Sequence, residues 1–475
     1  MRIPAILRPV AGVLALALAL LPGPVLGSGF QLVEQNGSGL GNAYAGQAAG
    51  VKDASAIFFN PAALTGLEDR QLVVSIEPIG PSTTFTDGGS SVPSLPTTPP
   101  FALPVPAGGA GGDAGSWVPV PNAYFSWHVG SAWWLGLGVN APFGLTTEWE
   151  GEWCGRFHAS KSSIETINVN PSVAVKLGEA VSLGAGVSYQ RLDAELGQNV
   201  AYGGTAYGLA GQVGGPAAAG AILTQLGGPA GLALEGPAVI QGDSWAWGWN
   251  AGLLLSIGER GRLGASYRSN VEHEIEGTAT FAGAPTFAES GPAGPIGAGL
   301  NARFASGPVR STVDLPETLS LAAAYEGDTV EVLADWTWTG WDRIQSLDVV
   351  RTDGSELSTV PLRFQDSWRA GLGFNVRLDE RWKLRLGTAY DKAPVQDEFR
   401  TPRLPDEDRI WAAGGFEWRL GARGALDFGY AHLFIKEATS SLPNQGSATS
   451  PPAGAMVGTY TTDVDIFSLQ YRVAF

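Results

Sequence analysis

The chain is poor in charge and nearly devoid of cysteine. Of its 475 residues only 16% are Asp, Glu, Lys or Arg, where about a quarter is usual. One cysteine, Cys154, excludes an internal disulfide framework and reads as a loop bystander. The four histidines, His128, His158, His273 and His432, stand far apart without metal-ligand spacing. No metal and no cofactor is expected. Beyond the N-terminus no apolar run reaches the roughly 18 residues a spanning helix needs. A net charge of -16 argues against a nucleic-acid partner. The length would suit two to four soluble domains, yet no repeated core-plus-linker organisation is visible.

What is present points elsewhere. There are 66 glycines and 16 tryptophans, and tryptophan gathers where membranes meet water. The first residues carry an export signal, 1–27. Arg2 and Arg8 are its basic part, and Val10 to Leu21 its apolar stretch. Val25-Leu26-Gly27 allows cleavage before Ser28. Pro22 and Pro24 close the stretch too early for a spanning helix.

The C-terminus reads as a membrane strand. Phe475, Val473, Tyr471, Leu469 and Phe467 share one face, and Ala474, Arg472, Gln470 and Ser468 the other. The same alternation recurs. Val181, Leu183, Ala185, Val187 and Tyr189 oppose Ser182, Gly184, Gly186, Ser188 and Gln190. Leu263, Ala265, Tyr267, Val271 and Ile275 oppose Arg262, Ser266, Arg268, Asn270, Glu272 and Glu274. Lipid accepts the first faces, whereas a packed soluble core would reject the charged second ones. Very short turns near Gly130, Gly178, Gly258, Gly327, Asp379 and Gly421 alternate with long loops. The loops fall at about 80–117, 146–161, 199–242, 278–304, 351–361, 393–406 and 437–459. Seven long loops, each between two strands, give fourteen. The expected fold is all-β, a transmembrane antiparallel barrel over 70–475 in a Gram-negative outer membrane. Repeated Gly-x-Gly, as in Gly136-Leu137-Gly138, follows from alternation and is no nucleotide motif.

A barrel of this size needs a stopper. Residues 28–69 lack strand alternation and are rich in Gly, Ala and Ser. They read as an internal hatch, or else a periplasmic tail.

Here the sequence resembles a known family. Ser28-Gly29-Phe30-Gln31-Leu32, Ser38-Gly39-Leu40-Gly41-Asn42-Ala43-Tyr44-Ala45-Gly46 and Asn60-Pro61-Ala62-Ala63-Leu64 are similar to the start of the outer-membrane long-chain fatty acid transporters. Relatives in that family import aromatic hydrocarbons. Ala141-Pro142-Phe143-Gly144-Leu145, Asn170-Pro171-Ser172, Leu315-Pro316-Glu317-Thr318, Ala334-Asp335-Trp336-Thr337-Trp338 and Arg403-Leu404-Pro405-Asp406 resemble it too. The resemblance implies a fourteen-stranded barrel with an N-terminal hatch. It further implies capture in the outer loops, transfer to a lumenal site beside the hatch, and sideways exit at a kinked third strand. The matching gap comprises Gly136, Gly138, Asn140, Pro142 and Gly144. The hatch tip matches Ser28, Gly29 and Phe30, and the hatch turn facing the gap matches Asn60, Pro61 and Ala62.

The residues add their own candidates. Leu223, Leu226, Leu232, Phe281, Phe287 and Ile296 make two outer loops unusually apolar, suggesting a docking groove. A carboxylate substrate would want a cation inside. By parity Arg268, Arg369 and Arg385 point in, with Glu272, Glu274, Asp335 or Asp391 as partners. Arg191 occupies the family's basic position, although parity faces it outward. The expected function is passive uptake of hydrophobic molecules, foremost long-chain fatty acids, with aromatic or alkane hydrocarbons as the alternative. A lipid-acting barrel enzyme or a surface structural barrel fits less well, because nothing singles out a Ser–His pair. The expected partners are outer-membrane lipids and, through Phe475, the barrel-assembly machinery. The expected state is a monomer.

Overall fold

A computed structural model describes residues 29–67, 70–95, 101–102, 107–291, 293–444 and 453–475. The segment 1–27 expected to be an export signal, and Ser28, lie outside the described residues. Apart from a two-stranded pairing of Ser94–Leu95 with Phe101–Ala102, the described strands form one closed antiparallel sheet of fourteen. In chain order these are β1 (Arg70–Asp87), β2 (Val118–Val129), β3 (Trp133–Asn140 and Gly144–Glu148), β4 (Lys161–Leu177), β5 (Val181–Val200), β6 (Gly236–Ile257) and β7 (Gly261–Arg268 and Val271–Phe281). There follow β8 (Gly307–Leu315 and Thr318–Glu326), β9 (Val330–Thr339 and Ser346–Arg351), β10 (Glu356–Pro361 and Ser367–Arg377), β11 (Trp382–Asp391), β12 (Arg409–Leu420), β13 (Gly424–Ile435 and Ala438–Leu442) and β14 (Met456–Ala474). Pairing of β1 with β14, from Gln71↔Ala474 to Asp87↔Gly458, closes the ring and leaves no open edge there. All six short turns fall where the sequence places them. The expected loop 351–361 is instead a tight turn, because β9 and β10 continue to Arg351 and from Glu356.

Alternation explains the wall. Leu72, Leu135, Leu183, Leu321, Phe467 and Leu469 are exposed on the outside, where hydrocarbon is the solvent. Trp127, Trp133, Trp382 and Trp418 ring the short-turn end. Further along, Tyr189 stacks on Trp245 at 4.6 Å and lies tilted against Trp247 at 4.3 Å. Ser126, Asn168, Ser188, Asn250 and Gln470 are buried on the inner face.

Beyond the second aromatic ring the polarity inverts. On β5 the buried residue is Leu192, while Arg191 and Asp193 are partly exposed and ion-paired at 2.7 Å. β7 breaks at Ser269-Asn270, and the extra residue shifts its parity. Val271, His273 and Ile275 are therefore buried, and Glu272 and Glu274 exposed. The expectation that those two glutamates point inward is thus corrected. Water, not lipid, wets the outside at this level, so charge faces out and the upper lumen is apolar.

Residues 29–67 run inside the barrel. Short helical turns at Gly37–Leu40, Gln47–Gly50 and Ala56–Phe59 and a 3-10 turn at Pro61–Gly66 pack Leu40, Ile57 and Leu64 completely out of water. Wall side chains take up their free amides. Gln71 Oε1 accepts from Ala54 N at 2.7 Å, Asp335 Oδ1 from Gly46 N at 3.0 Å, and Gln470 Oε1 from Gly37 N at 3.0 Å. Buried backbone donors that would otherwise be orphaned are thereby satisfied. Asn60 Nδ2 in turn donates to Ala48 O at 2.6 Å and to Leu253 O of β6 at 3.0 Å. Gly252 makes this approach possible, since a Cβ there would lie 1.9 Å from Asn60 Oδ1.

Candidate functional site: a breach in the wall

The β2–β3 ladder stops at Ala123↔Val139. Val118 to Asn122 pair only with β1, and Gly144 to Glu148 only with β4. Between the two halves of β3 lie Ala141, Pro142 and Phe143. Pro119, Pro121 and Pro142 remove three backbone donors from this stretch, and so lower the cost of unpaired wall in a membrane. The freed groups of β3 are met from inside. Leu32 N donates to Pro142 O at 2.9 Å and Gly144 N to Phe30 O at 3.0 Å. Gln35 Nε2 donates to Ala141 O at 2.7 Å. The hatch's first residues thus patch the broken strand.

A cavity of about 620 Å³ occupies the break. Its walls reach from Val139 and Ile167, exposed on the lipid side, to Val464 and Ile466, buried on the lumenal side. Phe30 and Leu32 form part of its inner wall. This volume lies within the roughly 300–1,000 Å³ of small-molecule sites.

The hatch tip is firmly seated. Phe30 packs edge-on against Trp341 with centroids 4.8 Å apart, and Phe143 lies 6.0 Å away. Trp341 is fully buried in the segment that interrupts β9. Gly29 N donates to Asp406 Oδ2 at 2.7 Å. The sequence does not single out Trp341, because one residue in an irregular turn has no periodicity to announce it. Asp406 lay within a family-like motif.

A second, smaller cavity of about 90 Å³ lies behind the hatch strand and shares Gln31 and Leu32 with the first. Arg268 and Arg369 both line it, with Phe58 and Phe59. The Arg268 guanidinium sits 4.2 Å over the Phe58 ring and donates to Phe58 O at 3.0 Å. Among the described residues it has no carboxylate within ion-pair distance. Arg369 is paired with Asp335 at 3.4 Å and also donates to Ala43 O.

The other sequence candidates are placed as follows. Arg385 sits in a different, polar cavity, held by Glu417 at 2.9 Å and by Asp427. Arg191 faces outward and pairs with Asp193, so it does not join the lumenal group. Asn140, Pro142 and Gly144 stand at the break. Gly136 and Gly138 lie on the fully paired half of β3, where they make room for Ile57. Asn60, Pro61 and Ala62 do not face the break. They pack under β5 and β6, where Gly184 and Gly252 admit them, because the Asn60 amide is committed to Ala48 O and Leu253 O. Among the loop residues, Phe287 is buried and Leu226, Phe281 and Ile296 pack with it around the helix Tyr202–Gln225. Leu232 is also buried, and Leu223 half-buried. Much of the expected groove is therefore filled by the loops themselves.

Known proteins share this architecture. Residues 18–475 match the family described as "Outer membrane protein transport protein (OMPP1/FadL/TodX)". The long-chain fatty acid transport protein of Escherichia coli K12 is 28% identical over 448 residues, 92% of this chain and 95% of the relative. Outer membrane protein P1 of Haemophilus influenzae is 28% identical over 432 residues, 88% of this chain and 89% of that one. The crystal structure of a Pseudomonas aeruginosa FadL homologue has the same fold, with a TM-score of 0.79 at 23% identity, covering 94% of this chain and all of the other (100%). The Pseudomonas putida toluene transporter TodX superposes at a TM-score of 0.59 and 16% identity, covering 94% and 99%. The chain belongs to the outer membrane protein transport family (OMPP1/FadL/TodX), whose members are transporters and channels of the Gram-negative outer membrane and not enzymes.

Proposed function

We propose that this barrel takes up long-chain fatty acids passively and releases them sideways into the outer membrane. The observation that carries the reading is the wall cavity at the β2–β3 break, lined from lipid face to lumen. An alkyl chain gains about 0.8 kcal/mol per buried CH₂, so about 12 kcal/mol for some fifteen methylenes. Release into periplasmic water would forfeit most of this, and release into lipid would not. The named function of the E. coli relative supports the substrate.

In this reading the apolar upper lumen and the outer loops receive the chain. The carboxylate meets Arg268, which lines the small cavity and among the described residues has no carboxylate partner, with Arg369 beside it. The small cavity holds only a headgroup. The alkyl chain lies along Leu32 toward the larger cavity and leaves first. Phe30 and its neighbours must swing away from Pro142 and Phe143 to let it pass.

Uptake of radiolabelled oleate and of toluene by a strain lacking its own transporter, with and without this chain, tests the reading. Oleate uptake dependent on the chain supports it. Toluene uptake alone would assign the hydrocarbon substrate instead, and uptake of neither would overturn the transport reading.

A further inference from the structure

Glu34 lies in the hatch segment that separates the two cavities. It is buried and lines the larger one. The charged and titratable groups around it are Glu77 of β1, Tyr44 of the hatch, Arg369 of β10, Asp391 of β11 and Arg409 of β12. Each cation already has a carboxylate: Arg369 has Asp335 at 3.4 Å, and Arg409 has Asp406 at 2.8 Å. Among the described residues Glu34 forms no ion pair. Asn122 links the site to Glu77, donating to Glu34 O at 3.1 Å and to Glu77 Oε2 at 2.7 Å, while Glu77 Oε1 has no partner. A carboxyl group so placed is costly to ionise. Its pKa is accordingly pushed up to about 7, mainly by burial.

An acid that leaves for hydrocarbon cannot go as an anion, because an unpaired carboxylate has no solvation there. We propose that Glu34 is the proton donor that neutralises the substrate's carboxylate as it trails through the wall. The O–H bond on Glu34 breaks as an O–H bond forms on the substrate oxygen. Glu34, left as carboxylate, is then reprotonated by a hydronium ion of the lumenal solution, which leaves as water. The preceding arginine contacts hold the anion, and the proton transfer releases it. This inference rests on the lateral fatty-acid route proposed above.

The test compares oleate with oleyl alcohol, which has the same chain and no charge to lose. Glu34→Gln keeps the size and hydrogen-bonding capacity but cannot donate a proton. Oleate uptake should fall about tenfold in Glu34→Gln, while oleyl alcohol uptake stays at wild-type rate. Glu34→Asp should restore part of the oleate rate. In the wild type, oleate uptake should slow as pH rises through about 7, a dependence absent for the alcohol. Equal loss for both compounds, or loss for neither, would overturn the proton-donor role and leave the route intact. A wild type that imports neither compound would remove the route itself, and this proposal with it.

Discussion

Phe30 and Trp341 meet edge-to-face at 4.8 Å, and this contact ties the start of the hatch to the irregular segment that interrupts β9. Two breaks in the wall are thereby joined through the lumen, since the same hatch residue accepts from Gly144 across the break in β3. Truncating Trp341 to Ala should cost roughly 3–5 kcal/mol of local packing. The barrel should still form, because no ladder pair is lost. Spin labels near Gln31 should report a mobile leading segment in Trp341→Ala and a fixed one in the wild type.

Arg268 offers a substrate test. Charge-assisted hydrogen bonds contribute about 1.5–3 kcal/mol. Arg268→Gln should therefore raise the concentration for half-maximal oleate uptake by about 10- to 100-fold, with Arg268→Lys in between. Oleyl alcohol uptake should change little. Arg385→Gln should instead lower the thermal stability of the barrel, because it takes the ion-pair partner from buried Asp427, whereas Glu417 keeps Lys383 at 3.1 Å and Arg419 at 2.9 Å.

Gly252 and Asn60 define how the hatch is seated. A valine at position 252 would meet the Asn60 side chain and force the turn off the wall. Gly252→Val should admit small hydrophilic solutes, read as increased conductance in planar bilayers. Asn60→Ala removes the bonds to Ala48 O and Leu253 O and should loosen the hatch by about 1–3 kcal/mol.

His158 predicts a pH effect in the outer loops. It is half-buried, with a ring nitrogen 3.1 Å from Gly454 O, and desolvation by its surroundings lowers its pKa to about 4. The folded loop thus prefers neutral imidazole. Its stability is full above about 6.5 and falls as pH drops from there toward 4. Hydrogen exchange across 149–160 should quicken over that window, and His158→Asn should abolish the dependence.

Much of this architecture was legible in the chain. Lipid imposes a strict two-residue period, so Phe467, Leu469 and Tyr471 declared both strand and face. Turns such as Gly178 and Gly258 were equally plain. Where lipid ends, the constraint ends too, and an unbroken two-residue period carried past Arg268 puts Glu272 and Glu274 on the wrong face. Nothing local marks the extra residue at Ser269-Asn270 that shifts parity. The inward arginines were found by parity, but which of them shares a cavity with the hatch depends on contacts 200 or more residues apart, as between Arg268 and Phe58. Asn60-Pro61-Ala62 was conspicuous as a motif, yet its place beneath β5 and β6 is set by glycines far along the chain.

The breach between β2 and β3 is the core of the account, and closing it is the direct test. Deleting Pro142 removes the one residue by which β3 exceeds β4 between Asn140↔Asn168 and Gly144↔Glu165, so both halves keep their faces and β3 can pair continuously with β2. Oleate uptake should then fall at least about tenfold, while the protein still folds, inserts and resists heat like the wild type. Undiminished uptake through a demonstrably continuous β3 would show that substrate leaves by another path.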